Sequence, residues 1–175
     1  SELFSIQLQN RQQQGRDGIW LDLPTTTEQV QAALRQIGIS SDNPQSLFIS
    51  GYFAEEEKRF AIPYNLVLAS NVDELNFLAA RLETLSAGER AELNAALQAP
   101  QSELFSIGRI TDFPENVDYY VHLPDVRGPA QLGDYYLNRS GMVDMPEEWK
   151  GGIDTAQFGR YVAQQEQGVF TEYGY

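Results

Sequence analysis

The sequence predicts an α+β protein of three small parts in a row. These are an antiparallel sheet with one helix (residues 1–62), a helical middle (63–101) and a mixed α/β end (102–175). Three observations carry this. Apolar and polar residues alternate in short stretches near the start, apolar residues recur every three or four positions through the middle, and both periods mix after Pro100.

In the first part, Phe4, Ile6 and Leu8 alternate with polar residues as a half-buried strand does. A polar, glycine-flanked loop from Arg11 to Gly18 leads to a second strand, Ile19 to Leu23, which places Trp20 in the core. Thr25 with Glu28 reads as a capping box for a helix burying Val30, Ala33, Leu34 and Ile37 and stopping at Gly38. Asp42 to Pro44 is a turn, and Leu47 to Tyr52 is a third strand.

In the middle, Pro63 opens a short apolar turn. Asn71 with Glu74 caps a helix carrying Val72, Leu75, Leu78, Ala79 and Leu82, and Ser86 with Glu89 caps another carrying Ala91, Leu93, Ala96 and Leu97. Short connections make these helices antiparallel neighbours. The last part begins with a helix capped by Ser102 that carries Leu104, Ile107 and Ile110. Val117 to Leu123 reads as a strand, Pro129 starts a helix through Leu132, Tyr135 and Tyr136, and Asp154 caps a helix with Phe158, Tyr161 and Val162. Of the paired rings at Tyr135 and Tyr136, one should point inward and one outward. Gly168 to Tyr175 is a final aromatic strand or hairpin. The hexapeptide Ser1 to Ile6 recurs unchanged at Ser102 to Ile107 without matching flanks, and local periodicity assigns it a strand first and a helix second.

Charge is the strongest compositional signal. Twenty-five acids face twelve Lys plus Arg, a net charge of −13. Residues 1–62 and 63–101 each carry −3, and residues 102–175 carry −7. Such a field repels nucleic acid and attracts basic surfaces. With no cysteines, disulfides and thiolate metal sites are excluded. No charged-then-apolar leader and no membrane-length apolar run is visible, which predicts a cytoplasmic protein.

The residues predict no catalytic centre, cofactor or metal. His122 is the single histidine, it stands in an alternating stretch beside no recognisable nucleophile turn, and a structural role is expected of it. There is no glycine-rich phosphate cradle, and neither Asp73-Glu74 nor Glu147-Glu148 has calcium-loop spacing. A carboxylate-based hydrolase would require two acids meeting in a concave pocket. A general acidic interaction protein would instead present its acids on a surface.

Several stretches carry a resemblance. These are Trp20-Leu-Asp-Leu23, Asn71-Val-Asp-Glu-Leu-Asn76, Glu115-Asn-Val-Asp118 and Leu123-Pro-Asp125. They continue with Leu132-Gly-Asp-Tyr-Tyr136, Met145-Pro-Glu-Glu148, Ile153 to Arg160 and Phe170-Thr-Glu-Tyr-Gly174. In this order and spacing the chain resembles the ArdA family of antirestriction proteins over nearly its whole length. The resemblance implies an elongated fold of three small domains and a homodimer joined through the C-terminal part. It also implies a protein that mimics bent B-form DNA and occupies the groove of type I restriction–modification enzymes formed by their specificity and modification subunits. It would act in the cytoplasm of a bacterial host, without binding nucleic acid or membrane directly.

On that reading the phosphate stand-ins are Asp112, Glu115, Asp118, Asp125, Asp134, Asp144, Glu147, Glu148 and Asp154. Asp73, Glu74, Glu83, Glu89 and Glu92 extend the stripe, and Glu55, Glu56 and Glu57 end it. Tyr135, Tyr136, Trp149, Phe158 and Tyr161 are candidate dimer contacts by aromatic character and family position. Two chains at −13 each carry the charge of roughly 44 Å of duplex, at one charge per ~1.7 Å. The chain is therefore a dilute mimic. The alternative is an acidic protein that inhibits or regulates another DNA-binding protein.

Overall fold

The computed structural model describes residues 2–13, 15–99, 103–116 and 121–175. In chain order the elements are β1 (Phe4–Asn10), β2 (Ile19–Leu23), α1 (Thr27–Gln36), β3 (Leu47–Phe53), α2 (Tyr64–Leu68) and α3 (Val72–Glu83). There follow α4 (Ala87–Gln98), α5 (Ile107–Thr111), α6 (Pro129–Asp134), α7 (Glu147–Lys150) and α8 (Thr155–Glu166). The protein is α+β, as its patterning predicts. It divides into two compact units, one of Ser1–Ser86 with Leu104–Asn116, the other of Ala87–Glu103 with Val117–Tyr175.

The first unit is organised by β1, which pairs antiparallel with β2 on one side and β3 on the other. Its alternation places Phe4, Ile6 and Leu8 in the core, where Leu21 and Leu23 of β2 and Ile49 of β3 join them. Fully burying one such aliphatic side chain contributes about 1.5–3 kcal/mol. Asn10 ends the inward row, and its burial is tolerated because its Nδ2 donates to the Ile37 carbonyl at 2.8 Å and its Oδ1 accepts the Gln12 N–H at 2.9 Å. A register shift at Gln7/Leu8 leaves Ser50 as the extra residue of β3, a β-bulge.

Trp20 is not in this core. It is half exposed on the opposite face of the sheet. With Leu21 and Leu23 turned inward, the two-residue period turns Trp20 and Asp22 outward. Its indole lies across the sheet towards Gly51, where an added Cβ would stand 3.0 Å from Trp20 Cη2. Glycine at 51 makes that approach possible.

The cap of α1 also falls one residue later than its sequence predicts. Thr26 Oγ1 accepts the Gln29 N–H at 3.2 Å. Thr25 is engaged elsewhere, since its N–H donates to Asn76 Oδ1 at 2.8 Å and its carbonyl accepts from Asn76 Nδ2 at 3.0 Å, tying the start of α1 to α3. Val30, Ala33 and Ile37 are buried as expected, whereas Leu34 is only half-buried. Asn71 caps α3 by accepting the Glu74 N–H at 2.9 Å, and the helix buries its five expected apolar residues.

Against α3 packs α5, whose buried residues include Ile107 and Ile110. Its cap is Ser106, not Ser102, which lies outside the described residues. Leu104 therefore precedes the helix. The two hexapeptide copies diverge accordingly, with Phe4 buried in β1 and its counterpart Phe105 exposed ahead of α5.

In the second unit, α6 and α8 cross at two glycines. A Cβ on Gly159 would run into the Pro129 carbonyl and lie 2.9 Å from the Gly133 nitrogen, and one on Gly133 would meet the Thr155 carbonyl. Asp154 caps α8, accepting from the Ala156 and Gln157 N–H groups at 3.0 and 3.1 Å. Val126, Leu132 and Tyr175 form the centre of the core, with Tyr135, Tyr136, Val162 and Phe170 packed around it.

The expected alternation of Tyr135 and Tyr136 is not found, and both rings are half-buried. Tyr135–Arg139 is a π-turn, whose wider spacing brings neighbouring side chains nearer to one face, and the two rings meet edge to face at 5.2 Å. The end of the chain is a tight turn closed by Thr171 and Gly174, not a strand. Of the strand expected from Val117 to Leu123, residues 117–120 lie outside the described residues and 121–123 have no strand. Leu123 exchanges both backbone hydrogen bonds with Tyr175.

Replacing Gly159 by alanine forces α6 and α8 apart. The expected cost is about 1–3 kcal/mol, read as a lower urea midpoint at unchanged slope. An unchanged midpoint would show that the helix crossing has slack.

Candidate interaction surface

Local structure decides where each acid sits. In the first unit, Glu55, Glu56 and Glu57 are exposed around a 3₁₀ turn at Glu56–Lys58. Asp73 and Glu74 occupy the first turn of α3, where the helix dipole favours negative charge, and Glu83 closes the same helix. Asp112 follows α5, and Glu115 forms an ion pair with Arg81 at 2.8 Å.

In the second unit, Glu89 lies exposed in the first turn of α4 and Glu92 is half-buried. Asp125 and Asp144 are exposed in connecting segments. Asp134 ends α6, accepts from Asn138 Nδ2 at 2.8 Å and lies 4.0 Å from Arg139. Glu147 and Glu148 open α7, and Glu147 is paired with Lys150 at 2.9 Å. Asp154 is a helix cap. Asp118 lies outside the described residues. Among the described candidate acids Glu92 is half-buried and the others are exposed, and Glu115, Asp134 and Glu147 are partly neutralised within their own unit.

Several of the bases are held close. Arg11 stacks over Phe48, Arg81 over Phe77, Arg109 over Phe105 and Arg139 over Tyr135, with 4.6–5.8 Å from guanidinium to ring centre. Lys58 donates to the Glu2 carbonyl at 3.2 Å, Arg59 to the Ala54 carbonyl at 2.9 Å and Arg127 to the Glu172 carbonyl.

Among the candidate aromatics, Trp149 and Tyr161 are 65% and 60% exposed, whereas Phe158, Tyr135 and Tyr136 are half-buried. Glu166, which sequence reasoning passed over, accepts from Tyr136 Oη at 2.5 Å and from Tyr175 Oη at 2.9 Å. Burial first, then the hydrogen bond and charge of Glu166, push the Tyr136 phenol up to about 12, and the same causes raise Tyr175 further. Burial likewise raises Tyr52 to about 12, with the nearby Arg59 opposing it.

His122 is tied to the backbone, its Nε2 2.7 Å from the Tyr173 carbonyl oxygen. Among the described residues no group of three or more His, Asp or Glu is placed to hold a metal ion, and no helix is long and apolar enough to cross a membrane. A groove of about 400 Å³ beside α1 is lined by residues that include Leu34, Arg35, Ile39, Pro44 and Leu47, and no carboxylate lines it.

Apart from half-buried Glu92, the described candidate acids are exposed, many of them at helix ends and turns. A family model described as antirestriction protein (ArdA) matches residues 14–175. The chain belongs to the ArdA antirestriction family. No curated protein matches it.

The raised tyrosines give a pH signature. An unfolded phenol releases its proton near 10.0, and folded Tyr136 releases it near 12. Its contribution to stability is complete below pH 10 and is lost as pH rises through 12. The urea midpoint of the wild type should fall more steeply across that window than that of Tyr136→Phe. Parallel curves would show that the Tyr136–Glu166 bond leaves the titration unaffected.

Proposed function

We propose that this protein inhibits type I restriction–modification enzymes by presenting a DNA-like array of carboxylates to the groove formed by their specificity and modification subunits. It acts as a homodimer in the bacterial cytoplasm, without catalysis and without a cofactor. The observation that carries this reading is the exposure of the candidate acids on a chain of net charge −13 in an antirestriction family. Carboxylates displayed on fixed helix ends can stand where phosphates would, and binding then follows the electrostatics of DNA binding.

The ion-paired acids Glu115, Asp134 and Glu147 contribute less to such a field than Asp125, Asp144 and Glu148, whose side chains have no partner among the described residues. Trp149 and Tyr161 are the strongest candidates for the dimer contact, because they are the most exposed of the aromatic set.

The test is competition between this protein and labelled duplex DNA for a purified type I methyltransferase core. Displacement near stoichiometry at low salt, weakening steeply as salt rises, is the expected result. Asp144→Lys alone should weaken binding only about fivefold. Combining it with Asp125→Lys and Glu148→Lys should weaken binding by more than about a hundredfold, since roughly one kcal/mol per reversed charge accumulates. Abolition by one substitution would sink the distributed surface. Displacement of DNA from unrelated DNA-binding proteins but not from the methyltransferase would favour a general acidic inhibitor.

A further inference from the structure

The outer face of the β1–β3 sheet carries a constellation that the acidic stripe does not use. Two rows of residues cross the strands there. One row is Trp20, Gln7 and Gly51, and the next is Asp22, Ser5 and Phe53. Trp20 and Asp22 are neighbours on the same face of β2, about 7 Å apart at the usual strand rise. Phe53 stands across Ser5 from Asp22, about 10 Å away at the usual strand spacing. Ser5 Oγ donates to Asp22 Oδ1 at 2.5 Å, which fixes the carboxylate and leaves Oδ2 without a partner among the described residues. The rings on either side stay open, Trp20 at 50% and Phe53 at 55% exposure.

We propose that Trp20, Asp22 and Phe53 form a docking site for an arginine side chain of a basic partner protein. A guanidinium is planar. It stacks on an aromatic face while its N–H groups bond a carboxylate in the same plane. The site offers both features side by side, a half-exposed ring that reaches over Gly51 and a carboxylate held by a serine. Charge complementarity selects the partner class, because a chain at −13 draws basic surfaces. Glu2 and Glu55 rim the small cleft beside Ser5 and Phe53, together with Lys58, whose ammonium is already bonded to the Glu2 carbonyl. The same face shows the stacking part of this geometry within the chain, where Arg11 stacks over Phe48, which pairs with Gln9. The docking site deepens the DNA-mimic reading with a contact that is not a phosphate stand-in, and it takes only the partner's identity from that reading.

Two arms test it. The chain has two tryptophans, so Trp149→Phe leaves Trp20 as the sole reporter. In that background, hexa-arginine and hexa-lysine peptides are titrated at fixed ionic strength while Trp20 emission is followed. The arginine peptide should bind several-fold more tightly and change the emission, and Asp22→Asn should weaken it by about three- to tenfold. Equal binding of both peptides with unchanged Trp20 emission overturns the site. So does a concentration-dependent emission change without peptide, which would mean that a second copy covers the face.

In the second arm, Trp20→Ala should weaken displacement of DNA from the methyltransferase core about tenfold at an unchanged salt slope. Trp20→Phe should stay within about threefold of wild type, and circular dichroism reads whether the sheet is intact. Full displacement by Trp20→Ala overturns the docking site and leaves mimicry standing. If the wild type displaces no DNA, mimicry fails, and the peptide arm still decides the site.

Discussion

Like-charge repulsion sets the terms on which this chain folds. Twenty-five carboxylates against twelve bases would drive a compact state apart unless the acids sat where something offsets them. The helix starts do much of this. Asp73, Glu74, Glu89, Glu147 and Glu148 lie in first turns and Asp154 caps α8, so the partial positive charge of exposed N–H groups is placed beside them. Many of the bases stay near home, over aromatic rings or on carbonyls of their own unit, while Arg16, Arg35 and Arg160 stay exposed. An arginine held this way keeps its charge but not its reach. The acids that project consequently outnumber the bases that do.

That arrangement also accounts for what patterning reveals and what it hides. The strands, the helix over Thr27–Gln36 and the helix over Val72–Glu83 follow from local periods, because one face of each is buried and the period has to match. The Asn71 and Asp154 caps are equally local. The failures have tertiary causes. Thr25 cannot cap, because Asn76, fifty-one residues away, holds its backbone. Trp20 looks like core by composition, yet Leu21 and Leu23 fill the inward positions of its strand and a glycine on β3 makes room for the ring outside. Strict alternation, applied to Leu21 and Leu23 first, would have turned both Trp20 and Asp22 outward. The hexapeptide itself cannot distinguish its place in β1 from its copy before α5, since the difference lies in the flanking residues and in what each packs against.

The site is legible in a different way from the fold. Acids are visible in any sequence, but their partners are not. Nothing in the spacing of Arg81 and Glu115, or of Tyr136 and Glu166, announces that they meet. Those meetings decide which carboxylates remain available to a partner and which serve the fold. Membership of the ArdA family supplies the class of function.

The first unit is not a continuous stretch of chain. It ends at Ser86 and resumes at Leu104, and the returning piece brings Ile107 and Ile110 to α3. A single cut after residue 116 keeps it whole only with Ala87–Glu103 of the other unit attached. A fragment stopping at residue 86 would strip α3 of that cover, and one starting at 87 would carry α5 as an orphan, its apolar residues in water. Truncations that end between residues 87 and 116 would thus damage both units at once, and an activity lost there would register broken packing before it located a contact.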